Sequence, residues 1–79
     1  YPNPFNPTTT IEYSLSKSGF VSIQVYSIDG KVIRELVNGY KRAGNYLVTF
    51  NGEQHASGTY FYRIVSGDFV DTKRMVLVK

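Results

Sequence analysis

The chain of 79 residues contains no cysteine and no tryptophan, and it has a single histidine and a single methionine. Without cysteine, a disulfide scaffold and a thiolate metal site are both excluded. No apolar run approaches the roughly 20 residues that a membrane-spanning helix requires. The opening Tyr1-Pro2-Asn3-Pro4 lacks an initiator methionine and does not read as a signal peptide, so we expect the terminal module of a longer protein.

The overall composition is that of a small folded domain. Apolar residues make up 42% of the chain and aromatic residues 15%, which is too apolar for a disordered linker. Nine basic residues against six acidic ones give a net charge of +3. The basic residues concentrate only in the pairs Lys41-Arg42 and Lys73-Arg74, whereas a nucleic-acid binder usually has a denser stripe. We therefore expect these charges to serve solubility and protection of sheet edges.

Proline divides the sequence into two parts. All three prolines lie in the first seven residues, which are Tyr1, Pro2, Asn3, Pro4, Phe5, Asn6 and Pro7. Because proline fixes φ and cannot donate a backbone hydrogen bond, this segment is predicted to be a stiff, extended arm outside any central strand. Residues 8–79 are predicted to form the folded domain.

From residue 8 onwards apolar and polar side chains alternate with the period of two that is typical of strands. Strands are predicted over residues 10–15, 21–26, 31–37, 45–50, 58–65 and 68–78. Asp29-Gly30 is predicted to be a two-residue hairpin turn, Asn38-Gly39 to end the third strand before a loop over residues 40–44, and Ser66-Gly67 to form another tight turn. Six or seven short strands at this spacing indicate an all-β fold, a small immunoglobulin-like antiparallel β-sandwich.

A tyrosine near the start of the fifth predicted strand sharpens this fold assignment. Tyr60 follows Gly58 by two residues, and in immunoglobulin-like sandwiches a tyrosine placed in this way donates its hydroxyl to the preceding loop. Tyr62 is then expected to point into the core. Tyr60 and Tyr62 are therefore assigned structural roles.

Groups that could perform catalysis are sparse. His55 lies in a polar stretch, residues 52–57, and is expected to be solvated. Asp68 and Asp71 are the closest acidic pair, but residues three apart on a strand point to opposite faces and cannot act together. Asp29 is explained by its turn. The sequence therefore predicts neither an enzyme nor a site for a metal or cofactor.

The tyrosines admit two interpretations. Five of them lie on predicted strands, namely Tyr13, Tyr26, Tyr46, Tyr60 and Tyr62. A flat row of exposed rings could stack on sugars, but tyrosine is also an ordinary strand former that fills a small core. Core packing is the favoured interpretation, and a carbohydrate-binding module is retained as an alternative.

The last predicted strand departs from simple alternation. Met75 and Leu77 face one way, Val76 and Val78 face the other, and all four are apolar. A strand with one solvated face does not need this pattern. Either it is a central strand covered on both sides, or one apolar face is kept for docking to another protein. Lys73, Arg74 and Lys79 flank the apolar run as charged residues that discourage aggregation.

These motifs, taken in order, resemble the C-terminal sorting domain of the type IX secretion system, also called the Por secretion system sorting domain, type A. The resemblance rests on the proline-rich start over residues 1–9, Val25-Tyr26-Ser27-Ile28-Asp29-Gly30-Lys31-Val32, Gly44-Asn45-Tyr46, residues 57–63 and the terminal residues 72–79. It covers essentially the whole chain. The fold that it implies is again an immunoglobulin-like β-sandwich.

The resemblance also implies a function and a set of partners. Such domains end large exported proteins of gram-negative bacteria, are recognised in the periplasm by the type IX machinery, and direct the attached cargo across the outer membrane to the surface. A surface peptidase then often removes the domain, and the cargo is released or joined to lipopolysaccharide. Carried over by position, recognition by the machinery falls on Lys73, Arg74, Met75, Val76, Leu77, Val78 and Lys79. The resemblance assigns structural roles to Gly58, Tyr60 and Tyr62. Alternatives are a spacer or carbohydrate-binding module and a self-assembling structural subunit.

Overall fold

The computed structural model describes residues 8–78, which form six strands and no helix. The strands are β1 (Thr8–Leu15), β2 (Gly19–Ser27), β3 (Val32–Lys41), β4 (Gly44–Asn51), β5 (Gly58–Ser66) and β6 (Phe69–Leu77). Within this part of the chain there is accordingly no helix that could cross a membrane. The extended arm predicted for residues 1–7, which includes the motif residues Pro2 to Pro7, lies outside the described residues and stays a prediction. Lys79 also lies outside them, so its assignment to the recognition site stays a prediction.

The strands form two antiparallel sheets, which confirms the predicted all-β sandwich. One sheet pairs β1 with β4, and the other has the order β3-β2-β5-β6. The chain crosses between the sheets after β1, β3 and β4, whereas β2–β3 and β5–β6 are hairpins within the larger sheet. The smaller sheet approaches the larger one most closely where β4 runs beside β3. This arrangement leaves β6 at the opposite edge of the larger sheet.

The core consists of the inward-facing residues that alternation predicts. Val21, Ile23 and Val25 of β2 are fully buried, because β2 is a central strand covered by the smaller sheet. They contribute to two clusters of buried side chains. One contains Ile11, Tyr13, Val21, Ile23 and Ile64, and the other contains Val25, Phe50, Tyr60 and Leu77. The second cluster ties the end of β6 to the rest of the fold.

The β2–β3 hairpin has a longer turn than the sequence predicts. The Gly30 amide donates to the Ser27 carbonyl and the Ser27 amide donates to the Lys31 carbonyl, both at 2.9 Å, so the loop contains Ile28, Asp29 and Gly30. Gly30 alone has positive φ, +86°. This is the three-residue hairpin with glycine in the left-handed region. The two-residue prediction was wrong because Asp29 keeps negative φ, and only Gly30 has the conformation that glycine permits.

Two other predicted boundaries are corrected. β3 continues through Asn38 and Gly39 to Lys41, since these residues pair with the first half of β2, so the predicted loop over residues 40–44 is mostly strand. At the β5–β6 hairpin, Ser66 pairs with Phe69 and the turn is Gly67-Asp68, one residue later than predicted. Positive φ at Gly67, +60°, fits the first central position of a type II′ turn.

The predicted tyrosine corner is confirmed. The buried Tyr60 hydroxyl donates to the Ala56 carbonyl at 2.6 Å, which fixes the chain just before β5. Gly58 begins the strand with φ +153°, a conformation that side-chain-bearing residues rarely adopt. Tyr62 packs, partly buried, against both core clusters, as its inward assignment requires. These residues therefore position β5, and β5 in turn positions β6.

A candidate recognition surface on the terminal strand

The terminal strand β6 is an edge strand. It pairs with β5 from Phe69 opposite Ser66 to Leu77 opposite Gly58, and its other side pairs with nothing among residues 8–78. The interpretation of this segment as a central strand covered on both sides was therefore wrong. An edge strand presents unpaired backbone amides and carbonyls, which can pair with a strand of another chain.

One face of β6 anchors the strand to the core. Leu77 is only 5% exposed and belongs to the cluster of Val25, Phe50 and Tyr60, with Met75 partly buried beside it. Leu77 also lies against Gly52 of the β4–β5 connection, where an added Cβ would be 2.6 Å from Leu77 Cδ1. Because two of the apolar residues of the tail fill the core, their hydrophobicity is explained by folding.

The other face of the same segment is solvent-exposed and apolar. Val76 is 61% exposed and Val78 72% exposed, although each is adjacent to the buried Leu77. Arg74 precedes them on this outer face and is paired across the strands with Phe61 of β5. The segment thus keeps one apolar face for the core and leaves the second uncovered, which folding of the described residues does not explain.

The two basic residues of the tail lie on different faces of β6. Arg74 is on the outer face, whereas Lys73 is opposite Tyr62 on the side that faces the gap between the sheets. There Lys73 and Asp71 line a groove of about 170 Å³ that also contains Glu12 and Tyr13 of β1. Both basic side chains are exposed. A partner that covers the free edge of β6 can therefore contact positive charge on either side of the strand.

The start of β6 adds two exposed residues that the sequence prediction of the site did not include. Phe69 and Val70 follow the Gly67-Asp68 turn and are both exposed. Phe69 lines a cavity of about 690 Å³ at this end of the sandwich together with Leu15 and Phe20. Val70 is paired with Val65 on the outer face. The sequence contained one signal for this exposed pair, namely two consecutive apolar residues directly after a hairpin turn.

His55 is not the solvated residue that was predicted. It is partly buried and stacks on Phe50, with ring centroids 5.8 Å apart, and it is in an edge-to-face arrangement with Tyr60, with ring centroids 6.3 Å apart. Its backbone amide donates to the Gly52 carbonyl at 2.9 Å. The histidine thus supports the loop on which Leu77 packs. Residues 8–78 contain no group of three His, Cys, Asp or Glu side chains that could hold a metal ion.

The tyrosines do not form one exposed row. Tyr13 and Tyr60 are buried, and Tyr46 and Tyr62 pack against the core clusters, which agrees with the favoured interpretation. Tyr13 stacks on Tyr46 with centroids 5.2 Å apart, and burial, followed by the nearby Tyr46, raises the pKa of Tyr13 above 10.0. Of the five, Tyr26 lies on the outer face of the larger sheet, where its hydroxyl donates to Gln24 Oε1 at 2.7 Å. Tyr40, opposite Phe20, is exposed on the same face.

Asp29 acts within its turn, away from β6. The Ser27 hydroxyl donates to Asp29 Oδ1, and this hydrogen bond is the main cause that holds the pKa of Asp29 below its ordinary value. A hydrogen bond to the ionised form lowers a carboxyl pKa in this way. The perturbed carboxylate is therefore explained by the hairpin, as the sequence analysis expected.

Comparison with known proteins agrees with the fold and the motifs. No curated protein and no solved structure matches the chain significantly. The family model described as the secretion system C-terminal sorting domain matches residues 1–79, which is the full chain. A match of this extent includes the start, the hairpin motifs, the tyrosine corner and β6 together. The chain therefore belongs to the family of C-terminal sorting domains that direct proteins to type IX secretion.

Proposed function

We propose that this chain sorts an attached cargo protein by presenting the outer side of β6 to the type IX machinery. The recognition surface consists of Arg74, Val76 and Val78 on the outer face of β6 and the adjacent backbone edge, with Lys73 on the other face beside that edge, and it extends to Lys79. Met75 and Leu77 hold the strand in place from the inside. The observation that supports this division is the contrast between buried Leu77 and exposed Val76 and Val78.

Binding by this surface uses simple physical chemistry. A partner strand can add to the unpaired edge of β6 through backbone hydrogen bonds, and burial of the exposed valines contributes roughly 25 cal/mol for each Å² removed from water. Charges at the rim of such an interface chiefly speed association and select the partner. The folded domain therefore acts as a recognition signal, and this role requires no catalytic residues.

The remaining steps of the proposed route concern the cargo. The cargo is attached on the N-terminal side of the domain and reaches the translocon from the periplasm. After passage across the outer membrane, a surface peptidase removes the domain and the cargo is released or attached to the cell surface. The family match supports sorting by type IX secretion, and these later steps extend that role to this chain.

A cargo fusion tests the proposed surface directly. A reporter with an inner-membrane export signal is joined to residues 1–79 and expressed in a bacterium that has type IX secretion. We expect the double variant Arg74→Glu with Val76→Glu to stay folded, because both side chains are exposed, and to accumulate in the periplasm. Surface display is measured by protease accessibility of the reporter on intact cells.

The matched control makes the same two kinds of substitution away from β6, one in the β3–β4 connection and one on β4 of the smaller sheet. Arg42→Glu with Leu47→Glu replaces an exposed arginine and an apolar side chain that is 68% exposed, so charge and surface hydrophobicity change equally. This control should be displayed like the unmodified fusion. Normal display of the Arg74/Val76 variant at equal expression would reject the proposed surface.

Deletion of the whole tail is a second, less selective test. Removal of residues 73–79 should also leave the cargo trapped in the periplasm. Because the deletion takes away Leu77 from the core, loss of display after deletion has two possible causes, recognition and domain folding. The surface variants separate these causes, and surface display of the deleted fusion would count against the proposal.

A further inference from the structure

The edge of β6 that pairs with no strand among residues 8–78 has a self-complementary sequence. From Phe69 to Leu77 the strand reads Phe-Val-Asp-Thr-Lys-Arg-Met-Val-Leu, with an acidic and a basic residue placed symmetrically about Thr72. Asp71 and Lys73 are on the same face of the strand, since both line the groove between the sheets. We propose that two copies of this chain associate through antiparallel pairing of their β6 strands, with the twofold axis at Thr72.

The register follows from symmetry. A twofold axis perpendicular to the sheet keeps the inner faces of both copies on the same side, so residues that sit equally far from the axis lie opposite each other. With the axis at Thr72, Asp71 of each copy lies opposite Lys73 of the other. Phe69 lies opposite Met75, and Val70 lies opposite Arg74. Two opposite-charge pairs and two apolar pairs then line the inner face of one continuous eight-stranded sheet.

Other registers of the same pairing are disfavoured by charge or by length. An axis at Lys73 or at Arg74 places that basic residue opposite its own copy, and an axis at Asp71 juxtaposes two carboxylates. Like charges directly opposite on a sheet destabilise the pairing. An axis nearer to either end of β6 shortens the paired segment. The charged residues therefore select the register at Thr72, although they discourage pairing with unrelated strands.

The exposure of β6 is compatible with this pairing. Phe69, Val70, Thr72, Lys73 and Arg74 are all exposed, and the lateral edge of β6 pairs with no strand among residues 8–78. A single pair of strands of this length buries less than the roughly 1,200–2,000 Å² of a stable complex, so the association is weak. The dimer covers the same edge that a partner would use. It therefore keeps an aggregation-prone edge paired until a tighter-binding partner replaces the second copy.

Analytical ultracentrifugation of the purified chain tests the proposal. We expect a reversible monomer–dimer equilibrium over a concentration range of about 10 μM to 1 mM. Asp71→Lys and Lys73→Asp each turn both attractive pairs into repulsive ones and should weaken dimerisation by at least about tenfold. The double variant Asp71→Lys with Lys73→Asp exchanges the charges and should restore the dissociation constant to within about threefold of the original. Circular dichroism establishes that every variant is folded.

Glu35→Lys is the matched control for the net charge of Asp71→Lys. It makes the same change of charge at an exposed position of β3, at the other edge of the larger sheet, and should dimerise like the original chain. A monomer at every concentration would overturn the proposal. So would a dimer that ignores the single reversals, or one that the double exchange fails to restore. Because association is measured without cargo and display is measured on cells, failure of this proposal is distinguishable from failure of the sorting surface.

Discussion

Leu77 of the terminal strand packs directly onto Gly52 of the β4–β5 connection. An added Cβ at Gly52 would be 2.6 Å from Cδ1 and 2.7 Å from Cδ2 of Leu77, which is closer than real contacts allow. Leu77 is held in place by the cluster of Val25, Phe50 and Tyr60, so it has little room to move away. The absence of a side chain at Gly52 is thus a condition for docking the end of β6.

Gly52→Ala should therefore destabilise the domain by about 1–3 kcal/mol, the usual cost of overpacking a core. The free energy of unfolding is measured by urea denaturation. Leu77→Ala in the same chain removes the atoms that the new methyl group meets. We expect the double variant to be less destabilised than the sum of the single variants. Strict additivity would show that the Gly52–Leu77 contact does not limit the packing.

Leu77→Ala alone should cost about 2–4 kcal/mol, because it leaves a cavity in the second core cluster. The neighbouring Val76→Ala is the control, since this side chain is exposed and its truncation should change the free energy of unfolding by less than about 0.5 kcal/mol. Both values come from denaturant unfolding. Equal effects of the two truncations would contradict the division of β6 into an anchoring and an exposed face.

Tyr60→Phe should lower the free energy of unfolding by about 1 kcal/mol. The substitution removes the hydroxyl that donates to the Ala56 carbonyl, while the buried ring stays. Tyr40→Phe is the control, because Tyr40 is 70% exposed on β3 and belongs to neither core cluster. If thermal unfolding showed no difference between these two variants, the tyrosine corner would contribute nothing to stability.

Gly58→Ala should destabilise the domain by about 1–2 kcal/mol, since a φ of +153° strains any residue that has a Cβ. The space around Gly58 is open, so the effect is one of backbone conformation and not of packing. Gly39→Ala is the matched control on β3, where the space is also open and φ is negative. A loss of stability at Gly39 as large as that at Gly58 would contradict this account.

Asp29 should contribute an acid-dependent part of the stability. Its pKa in the folded state is below the ordinary value of 3.8 because it accepts a hydrogen bond from Ser27. The contribution is therefore fully present above the unfolded-state pKa, and it is lost as the pH falls through the folded-state pKa. Asp29→Asn should show a smaller fall of the melting temperature between pH 5 and pH 2 than the original chain does. An equal fall of the melting temperature in the two proteins between pH 5 and pH 2 would exclude this contribution of Asp29.

The strands with clear alternation were predictable from the sequence. Ile11, Tyr13, Val21 and Ile23 occupy the predicted inward positions, because a period of two places them all on one face of their strands. The extension of β3 was not predictable. Asn38-Gly39 has a local preference for a turn, and pairing with β2 overrides that preference. The loop of Asp29 was assigned the wrong length, since one glycine with positive φ suits two kinds of hairpin.

The environment of the terminal strand was only half determined by the sequence. Alternation shows that Met75 and Leu77 face away from Val76 and Val78, but all four are apolar, so their order cannot show which pair is buried. His55 illustrates the same limit, because its polar neighbours predict a solvated side chain while Phe50 and Tyr60 partly cover it. Phe50 is distant in the chain, and its position depends on the pairing of β4 with β1.

By itself the sequence determined the class of fold, the positions of most strands along the chain and the alternation of side chains within them, because these depend on local patterning and on turn-forming residues. Its motifs also determined the family. Only the tertiary structure decided that β6 is an edge strand, that Leu77 fills the space left by Gly52, and that Val76 stays exposed. The reason is physical: burial and edge position depend on which strands become neighbours, and that is fixed by packing between segments distant in the chain.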